Sequence, residues 1–232
     1  MSLLTDYEYQ ALLLSLKVAF FAIVWLIPIG VGLAWLLARK QFFGKSLLDS
    51  VIHLPLVLPP VVIGYLLLIS MGRQGFVGNW LYEHFGLVFS FSWKGAVLAC
   101  IVVALPLMVR SIRLSLENVD GRLEQAAATL GASPIKIFFT ITLPLTIPGI
   151  ITGTMLSFAR SLGEFGATIS FVSNIPGETQ TIPLAMYTFI ETPGSEAEAM
   201  RLCLISIAIA LASMLISEWL SRVSARRLGA SQ

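Results

Sequence analysis

Between its charged residues the chain carries apolar runs long enough to cross a bilayer, and no other feature restricts its fold so tightly. Val18–Ala38 is uncharged for 21 residues, Ser50–Gly72 for 23 and Ile137–Ala159 for 23. Leu202–Ser221 runs for 20 with Glu218 as its one charge, and Gly95–Val109 runs for 15. A spanning helix needs about 20 apolar residues, within a range of about 17–25. The short run is extended by Ser90–Trp93, with Trp93 at the interface. Charged residues make up 12% of the 232, about half the roughly 25% of a soluble domain. Mean hydropathy is +0.86. Lipid is the solvent that removes the need for a polar coat, so this reads as an integral membrane protein.

The expected fold is all-α, with five transmembrane helices at about residues 14–38, 51–71, 91–110, 141–162 and 201–221. They form one transmembrane domain over residues 11–222, with a cytoplasmic loop at 111–136 and short tails at 1–10 and 223–232. The first run exceeds a signal-peptide core, follows Asp6 and Glu8, and ends in Arg39-Lys40 without a persuasive cleavage site, so it is expected to stay in the mature protein. With the N-terminus outside and the C-terminus in the cytoplasm, inner segments hold ten Lys and Arg (39, 40, 45, 110, 113, 122, 136, 222, 226, 227). Outer flanks hold four (17, 73, 94, 201), and the positive-inside rule selects this orientation.

Several function classes fall away. A formal charge of +2 without a basic run offers nucleic acid no surface. Cys100 and Cys203 lie inside apolar stretches, and His53 and His84 have no ligand spacing, so neither a disulfide framework nor a metal site is indicated. The longest polar stretches, residues 110–136 and 173–201, are each under 30 residues and too short for a soluble catalytic domain. Gly44-Lys45-Ser46 imitates the end of a phosphate-binding loop, but Arg39 stands where its first glycine belongs and a membrane helix precedes it. ATP is not bound by that route.

The informative polar stretch begins at Val119. Asp120 is a natural N-cap, Leu123–Leu130 reads as a short alanine-rich helix, and Gly131 suits the left-handed position that ends it. Ser133-Pro134 then restarts a helix with a cap and a proline at its first position. Ala126, Ala127 and Ala128 keep the first helix slim enough to enter a cleft of another protein; a plain amphipathic loop helix is the alternative.

This stretch resembles the cytoplasmic Glu-Ala-Ala…Gly loop of the permease subunits of binding-protein-dependent ABC importers. The likeness covers Leu123–Gly131 and continues to Leu143-Pro144, with Gln125 in the slot that usually holds Glu and Glu124 before it. Downstream, Phe158-Ala-Arg-Ser-Leu-Gly-Glu-Phe-Gly-Ala-Thr and Phe171-Val-Ser-Asn-Ile-Pro-Gly-Glu-Thr are similar to the sulfate/molybdate permease family, its molybdate branch in particular. Arg39-Lys40-Gln-Phe-Phe-Gly-Lys-Ser and Leu54-Pro-Leu-Val-Leu-Pro-Pro match early segments of the same branch. The resemblance implies a type I ABC importer permease fold in the bacterial inner membrane. It also implies a coupling helix carrying Glu124, Gln125, Ala126, Ala127 and Gly131, which docks on an ATPase. The implied assembly has two permease subunits, two ATP-binding subunits and an external binding protein, embedded in membrane lipid. This chain would bind no cofactor or metal, and its ATPase partner would use the ATP.

The fourth run fits a conduit. Thr154, Ser157, Ser161, Glu164 and Thr168 are spaced 3, 4, 3 and 4, which gathers them within about 80° of one helical face. A dianion in hydrocarbon needs polar groups at each level, and hydroxyls supply them without trapping it. The alternative is that these groups bond to neighbouring helices. Arg160 and Glu164, four apart, pair either as an oxyanion attractor with its latch or as a structural ion pair. Gly149, Gly153 and Ser157, like Gly30, Ala34 and Ala38, read as helix contacts. Pro55, Pro59 and Pro60 read as kinks in the second span, tolerated by packing, and His53 and Glu218 as boundary residues.

The function expected is ATP-driven molybdate import by alternating access, with a sulfate or tungstate permease as the rival within the class. A membrane-embedded enzyme would need an intramembrane constellation, and here only Arg160 and Glu164 stand out. A passive channel would have no use for the alanine-rich helix. Five helices hardly enclose a wet path for a dianion, whereas ten around a two-fold axis do, so a homodimer is expected.

Overall fold

The computed structural model describes residues 4–227; of the two tails, residues 1–3 and 228–232 lie outside the described residues. Among the described residues there is no strand. Helix α1 (Asp6–Arg39) starts at a capping box, in which Thr5 accepts from the Glu8 N–H and Glu8 accepts from the Thr5 N–H. Helix α2 (Lys45–His53) leads through a 3₁₀ turn (Leu54–Leu56) to α3 (Pro60–Met71), followed by α4 (Phe76–Phe85) and the long α5 (Trp93–Glu117). The slim α6 (Gly121–Thr129) and one turn of α7 (Pro134–Ile137) precede a π-helical turn (Phe138–Thr142), which runs on into α8 (Leu143–Leu162). Helices α9 (Gly166–Val172), α10 (Ile182–Glu191) and α11 (Glu196–Arg227) complete the chain.

Helix α5 is the hub: 61% of its apolar window is buried within the chain, against 11% for α11. Small residues let its neighbours approach. A Cβ on Gly153 of α8 would sit 3.0 Å from Met108 Sδ and 3.2 Å from Met108 O, and one on Gly30 of α1 would overlap Met108 Cγ. The two stripes of small residues are thus the seams by which α1 and α8 close on α5. One core cluster joins α1, α3, α5 and α9 through Val18, Ile63, Val103 and Phe171. A second fills the other half of the α1–α5 seam with Leu26, Leu37, Met108 and Ile112.

Among the described residues four helices are long and apolar enough to cross a membrane, or five if the bent pair Lys45–Leu56 and Pro60–Met71 is one span. That pair bends by 114°, so the second run is a broken element and not a kinked one. Pro59 and Pro60 both lack the N–H that a continuous helix needs there, and Pro60 starts α3 instead. At about 1.5 Å per residue the 12 residues of α3 reach about 18 Å, short of the roughly 30 Å hydrocarbon core. It packs on the still shorter α9, close enough that a Cβ on Gly64 would lie 2.5 Å from Ala167 O.

Candidate functional site: a broken-helix junction and an exposed loop helix

Helix α8 ends at Gly163, and the chain turns through Glu164 and Phe165 before α9 begins. Glu164 organises this break. Its Oε2 lies 2.6 Å from Arg160 Nη1, and its Oε1 accepts the Ala167 N–H at 2.7 Å, satisfying one of the donors at the start of α9. The Glu164 side chain is 1% exposed and that of Arg160 31%. One partner is locked into the protein while the other keeps a face open. The start of α3 meets the same break, since a Cβ on Gly166 would lie 2.8 Å from Pro60 Cβ.

The structure places the rest of the polar stripe mainly inside the chain. Ser157 is fully buried and donates to Ala104 O of α5 at 3.3 Å. Thr168 is buried and bonds back to Phe165 O at 2.8 Å. The buried Ser161 hydroxyl has no hydrogen-bond partner among the described residues, while its carbonyl accepts from the Cys100 thiol at 3.7 Å. Thr154 is half-buried. The stripe therefore faces α5 over most of its length, and for Ser157 the structure shows the helix-to-helix bond that the sequence offers as the alternative. Of the six residues, Arg160 and Thr154 retain access from outside the chain.

At the opposite end of α8, α6 forms as its sequence dictates. Asp120 accepts the Arg122 N–H at 2.9 Å, and Gly131 takes φ +82° to end the helix. No residue of α6 is buried. Gln125 and Ala126 are exposed, Ala127 is half-buried, and Leu130 stands 88% exposed beside Ile135 at 73%. Among the described residues nothing covers this slender projection.

Glu124 does not share that outward direction. Its Oε1 accepts from Arg39 Nη2 at 3.0 Å and from Thr142 Oγ1 at 2.7 Å. Beside it, Asp49 bridges α2 to Arg113 of α5 at 3.1 Å, and Arg113 also holds Glu117 at 2.9 Å. Burial lowers the affinity of the Arg113 guanidinium for its proton less than Glu117, first, and Asp49 then raise it, so the group is held above its ordinary value. Sequence reading misses both pairings, because the partners are 85 and 64 residues apart. The signal available in the sequence was that all these positions fall at the same expected side of the membrane. Among the described residues no group of His, Cys, Asp and Glu has the arrangement of a metal site.

Residues 27–229 match the family described as Binding-protein-dependent transport system inner membrane component. The chain is 68% identical over 227 residues to the molybdenum transport system permease protein ModB of Escherichia coli (strain K12), covering 98% of this chain and 99% of that one. It is 65% identical over 222 residues to the protein of the same name from Haemophilus influenzae, covering 96% and 97%. Among solved structures, a chain of a bacterial alginate ABC transporter in complex with a pentasaccharide-bound periplasmic protein superposes with a TM-score of 0.75 at 17% identity, covering 95% of this chain and 80% of that one.

Proposed function

We propose that this chain, which belongs to the family of binding-protein-dependent transport system inner membrane components, is the permease subunit of an ATP-driven importer whose cargo is molybdate. The observation that carries the reading is α6: a slim alanine-rich helix with no buried residue, anchored to the ends of α1 and α8. A transport protein whose described residues form no soluble domain needs such a handle to receive work from another subunit. The cargo follows from relatives named for molybdenum transport, 68% and 65% identical over nearly the whole chain. The chain is a transport component and performs no bond chemistry.

In this reading residues 11–222 form one transmembrane unit with the N-terminus outside, and the end carrying Arg39, Arg113 and Glu124 faces the cytoplasm. There α6 docks, through Leu130, Gln125, Ala126 and the turn at Gly131, on an ATPase subunit that binds and hydrolyses ATP. A second copy of the chain completes the path, and an external binding protein delivers the oxyanion. The proposed path runs past the break between α8 and α9. Arg160, half-open and paired with a carboxylate that is fixed in place, offers a cation to a passing dianion; Thr154 is the accessible hydroxyl of the same helix. Ser157, Ser161 and Thr168 hold the wall of this path against α5, and Glu164 keeps Arg160 aimed. Pairing Arg160 also keeps the site weak enough to release its cargo.

The test is uptake of labelled molybdate in cells lacking only this chain and in cells with it restored, with excess sulfate as competitor. Uptake that requires the chain and resists sulfate is the expected result. Uptake abolished by sulfate would move the cargo to sulfate, and uptake indifferent to the chain would overturn the cargo altogether. Removing Leu123–Gly131 separates an importer from a channel, since a channel still conducts without it.

A further inference from the structure

We infer that Glu124 is a force-bearing clamp which fastens α6 to both α1 and α8, and not a contact for the ATPase subunit. The inference rests on the importer reading above and names how work applied to α6 reaches the membrane. Three elements meet on one carboxylate oxygen. Arg39, the last residue of α1, donates to Oε1 at 3.0 Å, and Thr142, the last residue of the π turn before α8, donates to the same atom at 2.7 Å. Thr142 is itself buried and is tied into α8, because its carbonyl accepts from Thr146 Oγ1 at 2.6 Å. Arg39 and Glu124 are each 25% exposed, and Arg39 Nε is buried with no acceptor among the described residues. The guanidinium thus depends on Glu124.

The mechanical argument follows from what else holds α6. Its side chains are exposed or half-buried, so packing does not fix it. Its covalent links are the turn at Asn118–Asp120 and the turn at Leu130–Ser133. A helix attached by two turns swings as a flap when pulled. A charge-assisted bond to Arg39 and a short hydroxyl bond to Thr142 convert the flap into part of two long helices. The receiving surfaces are also joined to each other, since Trp35 of α1 meets Phe138 of the π turn edge-on with ring centroids 6.1 Å apart.

The experiment uses the complete importer, this chain with its ATPase subunits and binding protein, reconstituted in vesicles, and measures molybdate transported per ATP hydrolysed. For Glu124→Ala we expect that ratio to fall about tenfold while the ATPase subunits co-purify at the wild-type proportion, as for a coupled network. Thr142→Val in the Glu124→Ala background adds nothing further. Glu124→Gln, which keeps an acceptor oxygen for both donors and preserves folding, recovers most of the ratio. A Glu124→Ala importer that couples like wild type, or a Glu124→Gln importer as impaired as Glu124→Ala, overturns the clamp. So does loss of the ATPase subunits from the Glu124→Ala complex, which would make Glu124 a docking contact. A wild-type chain that recruits no ATPase at all would overturn the importer reading and the clamp with it.

Discussion

Arg201 donates its Nε hydrogen to Oε1 of Glu8 at 2.9 Å, joining the first turn of α1 to the second turn of α11 across 193 residues of sequence. Glu8 has no exposed surface, and its other oxygen accepts from the Thr5 N–H at 2.7 Å and the Thr5 hydroxyl at 2.9 Å. The carboxylate is fully satisfied, so the pair is stable although buried on one side. Removing the cation strands that carboxylate; removing the carboxylate strands only a half-exposed arginine that still holds Glu198 at 2.9 Å.

Arg201→Ala is therefore expected to lower the thermal unfolding midpoint of the purified chain in detergent by several degrees, and Glu8→Gln by less. Adding Glu8→Gln to Arg201→Ala should recover part of the loss, because the stranded charge is gone. A double variant less stable than Arg201→Ala alone would contradict this account.

Glycines of α1 and α8 separate into seams and open surface. At Gly149 a Cβ would overlap Ser115 Cβ and lie 2.8 Å from Ser111 O, whereas at Gly32 it would meet nothing within 4 Å. Overpacking costs about 1–3 kcal/mol, so Gly149→Ala should destabilise the chain, with α8 forced off α5. Gly32→Ala should be neutral or stabilising by up to about 1 kcal/mol from helix propensity. Chemical unfolding of both variants checks the contrast, and equal effects would refute the seam.

How much of this was legible in the sequence depends on distance along the chain. Uncharged run length exposed the long helices α1, α5, α8 and α11, because lipid imposes a length on any helix that crosses it. Capping chemistry exposed α6, since Asp120, Gly131 and Ser133 act on residues within three or four positions. The 114° bend was only half legible: two adjacent prolines announce a break, but its angle is set by how α3 packs on α9. Helical spacing assumed one continuous helix through residues 154–168, but α8 ends at Leu162, so Ser157 and Ser161 lie on α8, Glu164 in the break and Thr168 on α9. Nor does periodicity say whether a polar face meets a cavity or another helix. Here Ser157 donates to one α5 carbonyl, Glu164 accepts from the α9 backbone and Thr168 bonds back into the break. The clamps Glu8–Arg201 and Arg39–Glu124 were out of reach, because a single sequence carries no signal for pairs that distant.

At the junction of α8 and α9, Arg160 and Glu164 have different tasks and their variants should separate. Glu164 caps α9 as well as pairing with Arg160, so Glu164→Ala should reduce both stability and the amount of chain in the membrane. Arg160 caps nothing, and Arg160→Gln, whose amide still donates to the buried Glu164 carboxylate, should lower membrane levels less than Glu164→Ala. It should lower molybdate uptake about tenfold or more, the scale of a lost charged contact to an anion. Immunoblotting and uptake on the same cells check it. Wild-type uptake by Arg160→Gln would remove Arg160 from the transport path.

The exposed face of α6 gives the most direct test of what covers it. Leu130 stands 88% exposed and lies within no core cluster of this chain, so a charge there costs the isolated protein nothing in packing. In a desolvated contact the same charge is buried without a partner, and a central apolar anchor is worth about 2 kcal/mol or more. Leu130→Glu should therefore leave the unfolding midpoint of the chain unchanged while co-purification of the ATPase subunits falls about tenfold or more. Thr129→Glu, one residue away at the end of the same helix, serves as the control for added negative charge and should weaken co-purification less. Full recruitment of the ATPase by Leu130→Glu would show that this face of α6 is not the surface through which the chain receives work.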